Sequence, residues 1–177
     1  MPDSALSNLL ISKKKIKNLL FDKLSIKSNK ALLGIILEKN LSKEDEKTLF
    51  NLLDGLRNAD FEVVILGNEK FKKNSYLLPY TKNNRKILLE AADMALSFSF
   101  NDVEEMLLHG TVPISDERPE IKDYNPNKEV GNSFVYTVNN QWCIFAALIR
   151  ALETFKFPYD WKNIIRQGLE SVLVETS

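Results

Sequence analysis

Residues 82–114, KNNRKILLEAADMALSFSFNDVEEMLLHGTVPI, alternate between helical and strand patterns within a short span. A helix over Asn83–Ala91 precedes an apolar strand over Met94–Phe98, and a helix over Val103–His109 precedes a buried strand over Thr111–Ile114. Two strands separated by one short helix pair in parallel through a right-handed crossover. Because ligands of open parallel sheets lie at the carboxyl ends of strands, we expect any chemistry in the turn after the first of these strands.

The preceding residues follow the same pattern. A continuous apolar run at Ala31–Leu37 predicts a strand buried on both faces, and FEVVIL at Phe61–Leu66 predicts a second one. Between them, Ser42 is the expected N-cap of an amphipathic helix over Lys43–Arg57. A proline within the short strand expected over Tyr76–Tyr80 confines that strand to an edge of the sheet.

The two ends of the chain complete an α/β pattern. At the N-terminal end, we expect a flexible segment (residues 1–12) and then a helix over Ser12–Lys23. Towards the C-terminal end, we expect a short strand over Ser133–Thr137 and an apolar helix that is capped by Asn139 or Asn140 and ends at Phe155. A final helix over Tyr159–Leu173 belongs to a C-terminal helix and tail (residues 158–177). Between Ile114 and the short strand we expect an exposed connection with little regular structure. Buried strands alternating with helices predict one domain, residues 1–177, built as a Rossmann-like parallel sheet flanked by helices.

The composition is that of a globular domain. Of 177 residues, 44% are hydrophobic and 27% charged, and no apolar run approaches the ~20 residues of a membrane span. The leading lysines follow the apolar residues, unlike those of a signal peptide. The single cysteine, Cys143, excludes a disulfide framework within the chain. We therefore expect a cytoplasmic protein with no membrane association.

The charges balance overall but not locally. Lys plus Arg and Asp plus Glu both total 24, which gives no global attraction to nucleic acid. Residues Lys13–Lys30 contain seven lysines and one aspartate. We interpret this segment as the solvated face of a helix that directs Ile16, Leu19, Leu20 and Leu24 inward. The alternative, nucleic-acid binding, rests on this local charge alone, and we expect no nucleic-acid partner.

No cofactor or metal motif is present. Residues Leu37–Leu41 follow the first strand without a glycine, which excludes a dinucleotide fingerprint or a Walker loop there. The only histidine, His109, ends a predicted helix, where an imidazole interacts with the helix C-terminus. Ser97 and Ser99 would share this one imidazole as a base, so a hydrolytic triad is not expected. The sequence predicts neither a metal nor a cofactor.

Three carboxylates, Asp102, Glu104 and Glu105, open the helix after the central turn, where the helix dipole favours them. Glu105 differs because Val103 and Met106 take the inward positions, so its side chain can aim at the carboxyl end of the preceding strand. A carboxylate there accepts two hydrogen bonds from a ribose diol.

Several segments occur in an order that resembles a known family. They are KKKIKNLLFDKLSI, ALLGIIL, FEVVILG, AADMALSFS, EEMLLHGTVPI, DYNPNKEVGNSFVY, LIRALETF and Trp161–Ile165, and they extend from about Lys13 to Leu173. Together they resemble the C-terminal half of bacterial glycogen and starch synthases, two-domain glycosyltransferases of the GT-B fold, with GTVPI and GNSFVY the most specific pieces. In that family the C-terminal domain binds the sugar nucleotide, usually ADP-glucose, and the N-terminal domain supplies the acceptor site.

Three functional loops depart from the family's pattern. The Arg that neutralises the diphosphate falls on Glu38, whereas the accompanying Lys falls on Lys43. The loop after the next catalytic strand is short and lacks the family's Glu, Pro and Gly, and residues 116–119 replace a pair of glycines. The candidate nucleotide-sugar residues that the resemblance leaves are Lys43, Ser97, Ser99, Glu105, Gly110 and Thr111.

These departures predict a glycogen or starch synthase-like donor domain that is impaired or inactive alone and has a structural or partner-binding role. The partner is expected to be a protein such as a glucan-synthesising enzyme. The alternative is a functional half that binds ADP-glucose or UDP-glucose and transfers glucosyl units together with a separate acceptor domain. In that alternative, Lys43 contacts the phosphates and Glu105 the ribose.

Overall fold

The computed structural model describes residues 3–37, 41–67, 69–97 and 102–175. The strands are β1 (Ala31–Ile36), β2 (Phe61–Leu66), β3 (Tyr76–Leu78), β4 (Met94–Ser97), β5 (Val112–Ser115) and β6 (Phe134–Val135). The helices are α1 (Asp3–Leu24), α2 (Lys43–Leu56), α3 (Lys82–Ala91), α4 (Val103–Leu108), α5 (Gln141–Phe155) and α6 (Pro158–Glu175), with a 3₁₀ helix (Glu69–Asn74) between β2 and β3. The predicted Rossmann-like sheet flanked by helices is confirmed.

In the described residues, six strands form one sheet in the order β3-β2-β1-β4-β5-β6, and every neighbouring pair is parallel. All six residues of β1 are buried, as its unbroken apolar run predicts. The strand order reverses between β1 and β4, where Ile36 lies opposite Ser97. Such a switch point leaves a crevice at the carboxyl ends of the two strands, which is where open α/β sheets bind ligands.

Hydrophobic clusters cover the two faces of the sheet. One cluster includes side chains of α2, α5 and α6, with Trp161 stacked 6.3 Å from Phe134 and edge-on to Phe155 at 5.2 Å. The other packs α1 and α3 on the opposite face, through residues such as Leu20 and Leu88. In the described residues, no helix combines the length and the apolar character that crossing a bilayer requires.

Helix α1 differs from the prediction in extent and in orientation. It begins at Asp3 instead of Ser12, and Leu6 is fully buried, so most of the leading segment expected to be flexible is helical. Leu19, expected to point inward, is 60% exposed, whereas the charged Lys13 is only 7% exposed. The burial of Lys13 contradicts a uniformly solvated basic face. A buried charge requires hydrogen-bonding partners, and α1 obtains them from the ends of other elements.

The connection between β5 and β6 is more ordered than its composition predicts. Ile121 and Tyr124 are buried, and the Tyr124 hydroxyl donates to Asp160 Oδ1 of α6 at 2.6 Å. Gly131 has a φ of +121°, and a Cβ there would lie 2.6 Å from the Asp123 carbonyl oxygen. The segment therefore packs as a hydrogen-bonded loop against α6, held by a turn that needs glycine.

Candidate functional site

The candidate site lies at the carboxyl edge of the sheet, beside the switch point. There α2 begins with Lys43, whose side chain is exposed. The preceding residue, Ser42, caps the helix, and its hydroxyl accepts a 3.0 Å hydrogen bond from the Asp45 N–H. Ser97 is the last residue of β4 on the same edge. The chain thus brings an exposed cation and a helix N-terminus to the position where a ligand is expected, together with three carboxylates, Glu44, Asp45 and Glu46, in the same first turn.

Arg85 is the central cation on the β4 side of this edge. From the first half of α3, its guanidinium donates to Asp102 Oδ1 and to Glu105 Oε2 at the start of α4. Burial alone would lower the pKa of Arg85, but these hydrogen bonds raise it above its ordinary value. The Glu105 carboxylate, expected to be available for a ribose, is therefore engaged by a cation of the chain itself.

A second paired cation follows β5. Arg118 folds back so that its Nε lies 3.1 Å from Ser115 Oγ and its Nη2 lies 2.7 Å from Asp116 Oδ1. The Arg118 side chain is only 9% exposed. This local cluster occupies the position where the resembling family has a pair of glycines, so the turn is filled by side chains that bond to one another.

Tyr136 directly follows β6, and its backbone N–H donates to the Ser115 carbonyl beside Asp116. It is buried, and this burial raises the pKa of its hydroxyl to about 12, with the negative charge of Asp116 acting in the same direction. The phenol is therefore neutral at physiological pH. Further along the chain, Asn139 donates to Asp45 Oδ1 at 3.0 Å, which connects the start of α2 to the segment between β6 and α5.

Gly110 and Thr111 lie at the opposite, amino edge of the sheet, because they precede β5. The Thr111 side chain is buried, and the carbonyl oxygens of Leu89 and Ala92 are both within hydrogen-bond distance of its single hydroxyl proton donor. A four-residue strand separates this edge from the carboxyl edge by about 13 Å at 3.3 Å per residue. Neither residue shares a location with Lys43, and both serve the junction between α3, α4 and β5.

That junction is centred on Lys13 of α1. Its ammonium group donates to Thr111 Oγ1 at 2.8 Å, to the His109 carbonyl at 3.1 Å, and to the carbonyls of Leu89 and Glu90 at 3.3 Å. Burial lowers the pKa of Lys13 to about 7 against the opposing effect of nearby carboxylates. Lys13 thus satisfies carbonyl groups at the C-terminal ends of two helices, which are otherwise without intrahelical partners.

The structure brings together part of the set that the sequence proposed. Lys43, Ser97 and Glu105 share the carboxyl edge, whereas Ser99 and Glu38 lie outside the described residues. Within the described residues, no group of His, Cys, Asp or Glu side chains has the arrangement needed to hold a metal ion.

Four residues with unusual environments were missed: Lys13, Arg85, Arg118 and Tyr136. Arg85 and its partners are separated by 17 and 20 positions, and the contacts of Lys13 span 76 to 98 positions. Hydrophobic periodicity does not report contacts of this kind. The one local signal was the run Asp116-Glu117-Arg118, where opposite charges two positions apart face each other across a turn.

Comparison with solved structures places this geometry in a known fold. A glycosyltransferase from Rickettsia africae ESF-5 is similar over 92% of the chain, with 14% identity and a TM-score of 0.72. The C-terminal domain of a group 1 family glycosyl transferase from Francisella tularensis is similar over 93% of both chains, with 14% identity and a TM-score of 0.68. The fold is that of the Rossmann-like half of a GT-B glycosyltransferase.

A protein with a different activity is also similar in structure, and the sequence comparisons found no match. A UDP-GlcNAc 2-epimerase from Neisseria meningitidis, solved with UDP-GlcNAc, is similar over 95% of the chain, with 14% identity and a TM-score of 0.55. The chain spans 48% of the Rickettsia protein and 51% of the epimerase, about half of each. No protein-family model and no curated protein sequence matches the chain. At this identity the likeness establishes the fold, and the kinship to glycogen or starch synthases stays a prediction.

Proposed function

We propose that the chain is a glycogen or starch synthase-like donor domain of the GT-B type, acting in the cytoplasm, whose own nucleotide-sugar binding is impaired. Its role is to support or bind a protein partner such as a glucan-synthesising enzyme. One observation carries this proposal. The guanidinium groups at the carboxyl edge are paired with carboxylates of the chain, Arg85 with Asp102 and Glu105, and Arg118 with Asp116.

The leaving group of such a glucosyl transfer is a nucleotide diphosphate, which is negatively charged. A nucleotide diphosphate requires cations that face it, because catalysis depends on neutralising the charge that develops on the phosphates. A guanidinium that already holds a carboxylate contributes little net positive charge, and separating the pair costs free energy. The carboxylates Asp102, Glu105 and Asp116 also repel an incoming anion. Weak donor binding follows from this arrangement.

A second candidate function rests on Lys43. This exposed cation lies at the N-terminus of α2 beside the switch point, where its charge and the helix dipole both favour a phosphate. In this alternative, the chain binds ADP-glucose or UDP-glucose and transfers glucosyl units together with a separate acceptor domain. Glu105 would then leave Arg85 to accept hydrogen bonds from the ribose.

Calorimetric titration with ADP-glucose, ADP and UDP-glucose separates the two functions. The impaired domain is expected to give no heat of binding up to millimolar ligand. A dissociation constant tighter than about 1 mM, or about −4 kcal/mol, would contradict it and support the alternative.

Two variants of α2 make the titration specific. If binding is observed, Lys43→Glu should abolish it, whereas Lys47→Glu, an exposed lysine one turn further along the same helix, should leave it unchanged. Equal losses in both variants would place the ligand elsewhere.

A further inference from the structure

Strand β2 is paired along only half of its length on one side. β1 pairs with all of Phe61–Leu66, but β3 pairs only with Val64–Leu66, starting at the partners Val64 and Tyr76. Among the described residues, no strand lies beside residues 61–63 on the β3 side. In the part of the chain that the structure describes, the first half of β2 is therefore an open strand edge, as are the outer sides of the terminal strands β3 and β6.

The hydrogen-bond pattern shows which backbone groups this edge presents. The Leu66 carbonyl accepts from the Leu37 N–H on the β1 side, whereas the Gly67 N–H donates to the Leu78 carbonyl on the β3 side, both at 3.0 Å. Successive residues of a strand direct their backbone N–H and C=O groups to opposite sides. The backbone groups of Phe61 and Val63 therefore point to the β3 side, as the Gly67 N–H does. An added strand would find main-chain donors and acceptors there.

A cleft lies along this open edge. It has a volume of about 560 Å³, with the open half of β2 on one wall and the end of α2 and the start of β3 around it. Its apolar surface comes from Leu53, Leu56, Phe61 and Val63. Residues 61–63 of β2 and Tyr76, the first residue of β3, all line the cleft, and Tyr76 lies opposite Val64. A chain segment placed beside residues 61–63 would therefore precede β3 along the same side of β2, towards the amino side of the sheet.

The charges that line the cleft are mostly positive. Lys30, Arg57 and Lys72 line it against one carboxylate, Glu62. Lys30 lies 3.6 Å from Asp60, and Arg57 lies 3.3 Å from Asp54, with all four side chains between 42% and 74% exposed. Exposed ion pairs of this kind contribute little and exchange readily, so these cations can meet a second carboxylate.

We propose that the open half of β2 is a docking site for an extended acidic peptide segment of a partner protein, which adds to the sheet as a strand beside Phe61–Val63. Main-chain hydrogen bonds to β2 supply the affinity, and Lys30, Arg57 and Lys72 select carboxylate side chains. This proposal rests on the partner-binding role proposed above, and the open half of β2 is the surface through which the partner would bind. It lies away from the carboxyl edge, so its test and the nucleotide-sugar titration succeed or fail separately.

The test uses a fluorescein-labelled hexapeptide of alternating glutamate and valine, measured by fluorescence anisotropy with the full chain at low ionic strength. Two further peptides carry N-methyl groups on all glutamates or on all valines. Because only alternate residues of an added strand face β2, one of these peptides is expected to bind at least tenfold more weakly than the parent, and the other about as well. The peptide arm does not depend on the folding of any variant.

Charge-reversal variants locate the peptide on the protein. Lys72→Glu and Lys30→Glu change exposed side chains of the cleft, and each should weaken binding at least tenfold. Lys23→Glu is the matched control, an exposed lysine on α1 at the opposite face of the sheet, and should leave binding unchanged.

Four results of the binding measurements would overturn the proposal. They are an absence of binding at 1 mM protein, equal binding of both N-methylated peptides, equal binding of a lysine–valine peptide, and equal losses in the cleft and control variants. The first would mean that the lysines only protect the edge from association. Sedimentation showing a dimer that the Lys72→Glu variant disrupts would assign the edge to a second copy of the chain and would also overturn the proposal.

Discussion

Lys13 combines a charge with nearly complete burial, and this makes its protonation part of the folding equilibrium. The pKa of Lys13 is about 7 in the folded chain, whereas an unperturbed lysine, as in the unfolded chain, has a pKa of 10.5. Between these two values the unfolded chain binds more protons than the folded chain, so the stability contributed by Lys13 rises with pH. That contribution is complete above pH 10.5 and is lost as the pH falls through about 7.

The comparison of wild type with Lys13→Met measures this effect. The free energy of unfolding, obtained from urea titrations, should rise in the wild type relative to the variant between pH 7 and pH 9, with a slope of up to about 1.4 kcal/mol per pH unit. Lys23→Met removes an exposed lysine of the same helix and should show the wild-type slope. Identical pH profiles for wild type and Lys13→Met would contradict the prediction.

Gly131 and Gly55 give opposite predictions for the same substitution. At Gly131, with its φ of +121°, an added Cβ would meet the Asp123 carbonyl oxygen at 2.6 Å, so Gly131→Ala should destabilise the chain by about 2–4 kcal/mol. At Gly55, inside α2, the Cβ would lie 3.6 Å from the Phe145 ring, an ordinary contact. Gly55→Ala should therefore stabilise the chain by up to about 1 kcal/mol. A lowered urea midpoint for Gly55→Ala would refute the prediction for Gly55, and an unchanged or raised midpoint for Gly131→Ala would refute the prediction for Gly131.

Sequence reasoning at this scale succeeded where a residue acts locally. Ser42 caps its helix as predicted, and of the two candidates Asn139 and Asn140 the cap is Asn140, because an N-cap bonds to backbone groups two or three positions away. It failed for Lys13 and Thr111, whose roles come from elements far apart in the chain. A lysine in a basic segment is expected to be solvated, and only the tertiary structure brings enough carbonyl groups together to bury one.

At the scale of elements, Arg85 joins α3 to the start of α4. Its side chain is 18% exposed and that of Asp102 only 6%, so the Arg85–Asp102 pair is largely removed from water. Removing one partner leaves a buried carboxylate without this guanidinium, which costs far more than the loss of an exposed pair. The coupling therefore lies between two helices and not within either of them.

Arg85→Met should destabilise the chain by about 2–4 kcal/mol in urea unfolding. Arg57→Met is the control with an exposed pair, since Arg57 and Asp54 lie 3.3 Å apart with side chains that are 51% and 72% exposed, and it should cost less than about 1 kcal/mol. A double-mutant cycle with Asp102→Asn should return a coupling energy of about 1–3 kcal/mol. A coupling energy near zero would show that Arg85 and Asp102 do not stabilise each other.

Element positions were largely predictable because the strands are buried on both faces. The runs at β1 and β2 have no regular polar alternation and are followed in the sequence by Glu38 and Gly67, so their bounds agree with the prediction to within one residue. The edge position predicted for β3 is confirmed, but β3 ends at Leu78 and not at Tyr80, so Pro79 follows the strand and does not lie within it. The start of α1 was missed because its first turns are mixed in polarity, and Leu6 is buried by tertiary packing and not by a regular stripe.

At the scale of the whole molecule, α1 connects the two faces of the sheet. Its 22 residues extend about 33 Å at 1.5 Å per residue. Leu6 belongs to the hydrophobic cluster on the face of α2, α5 and α6, whereas Leu20 and Phe21 belong to the cluster on the face of α3. The strands contribute side chains to both clusters. Neither cluster can therefore be dismantled without loss of contacts in the other.

This shared packing predicts that the chain unfolds as one cooperative domain. Of its two tryptophans, Trp142 is 74% exposed and Trp161 is 7% exposed, so in a Trp142→Phe variant the fluorescence reports only the buried Trp161 on one face. Far-ultraviolet circular dichroism reports helices on both faces. The two signals should give the same urea midpoint and the same slope, as two-state unfolding requires. Separate midpoints would mean that the two faces unfold independently and that α1 does not couple them.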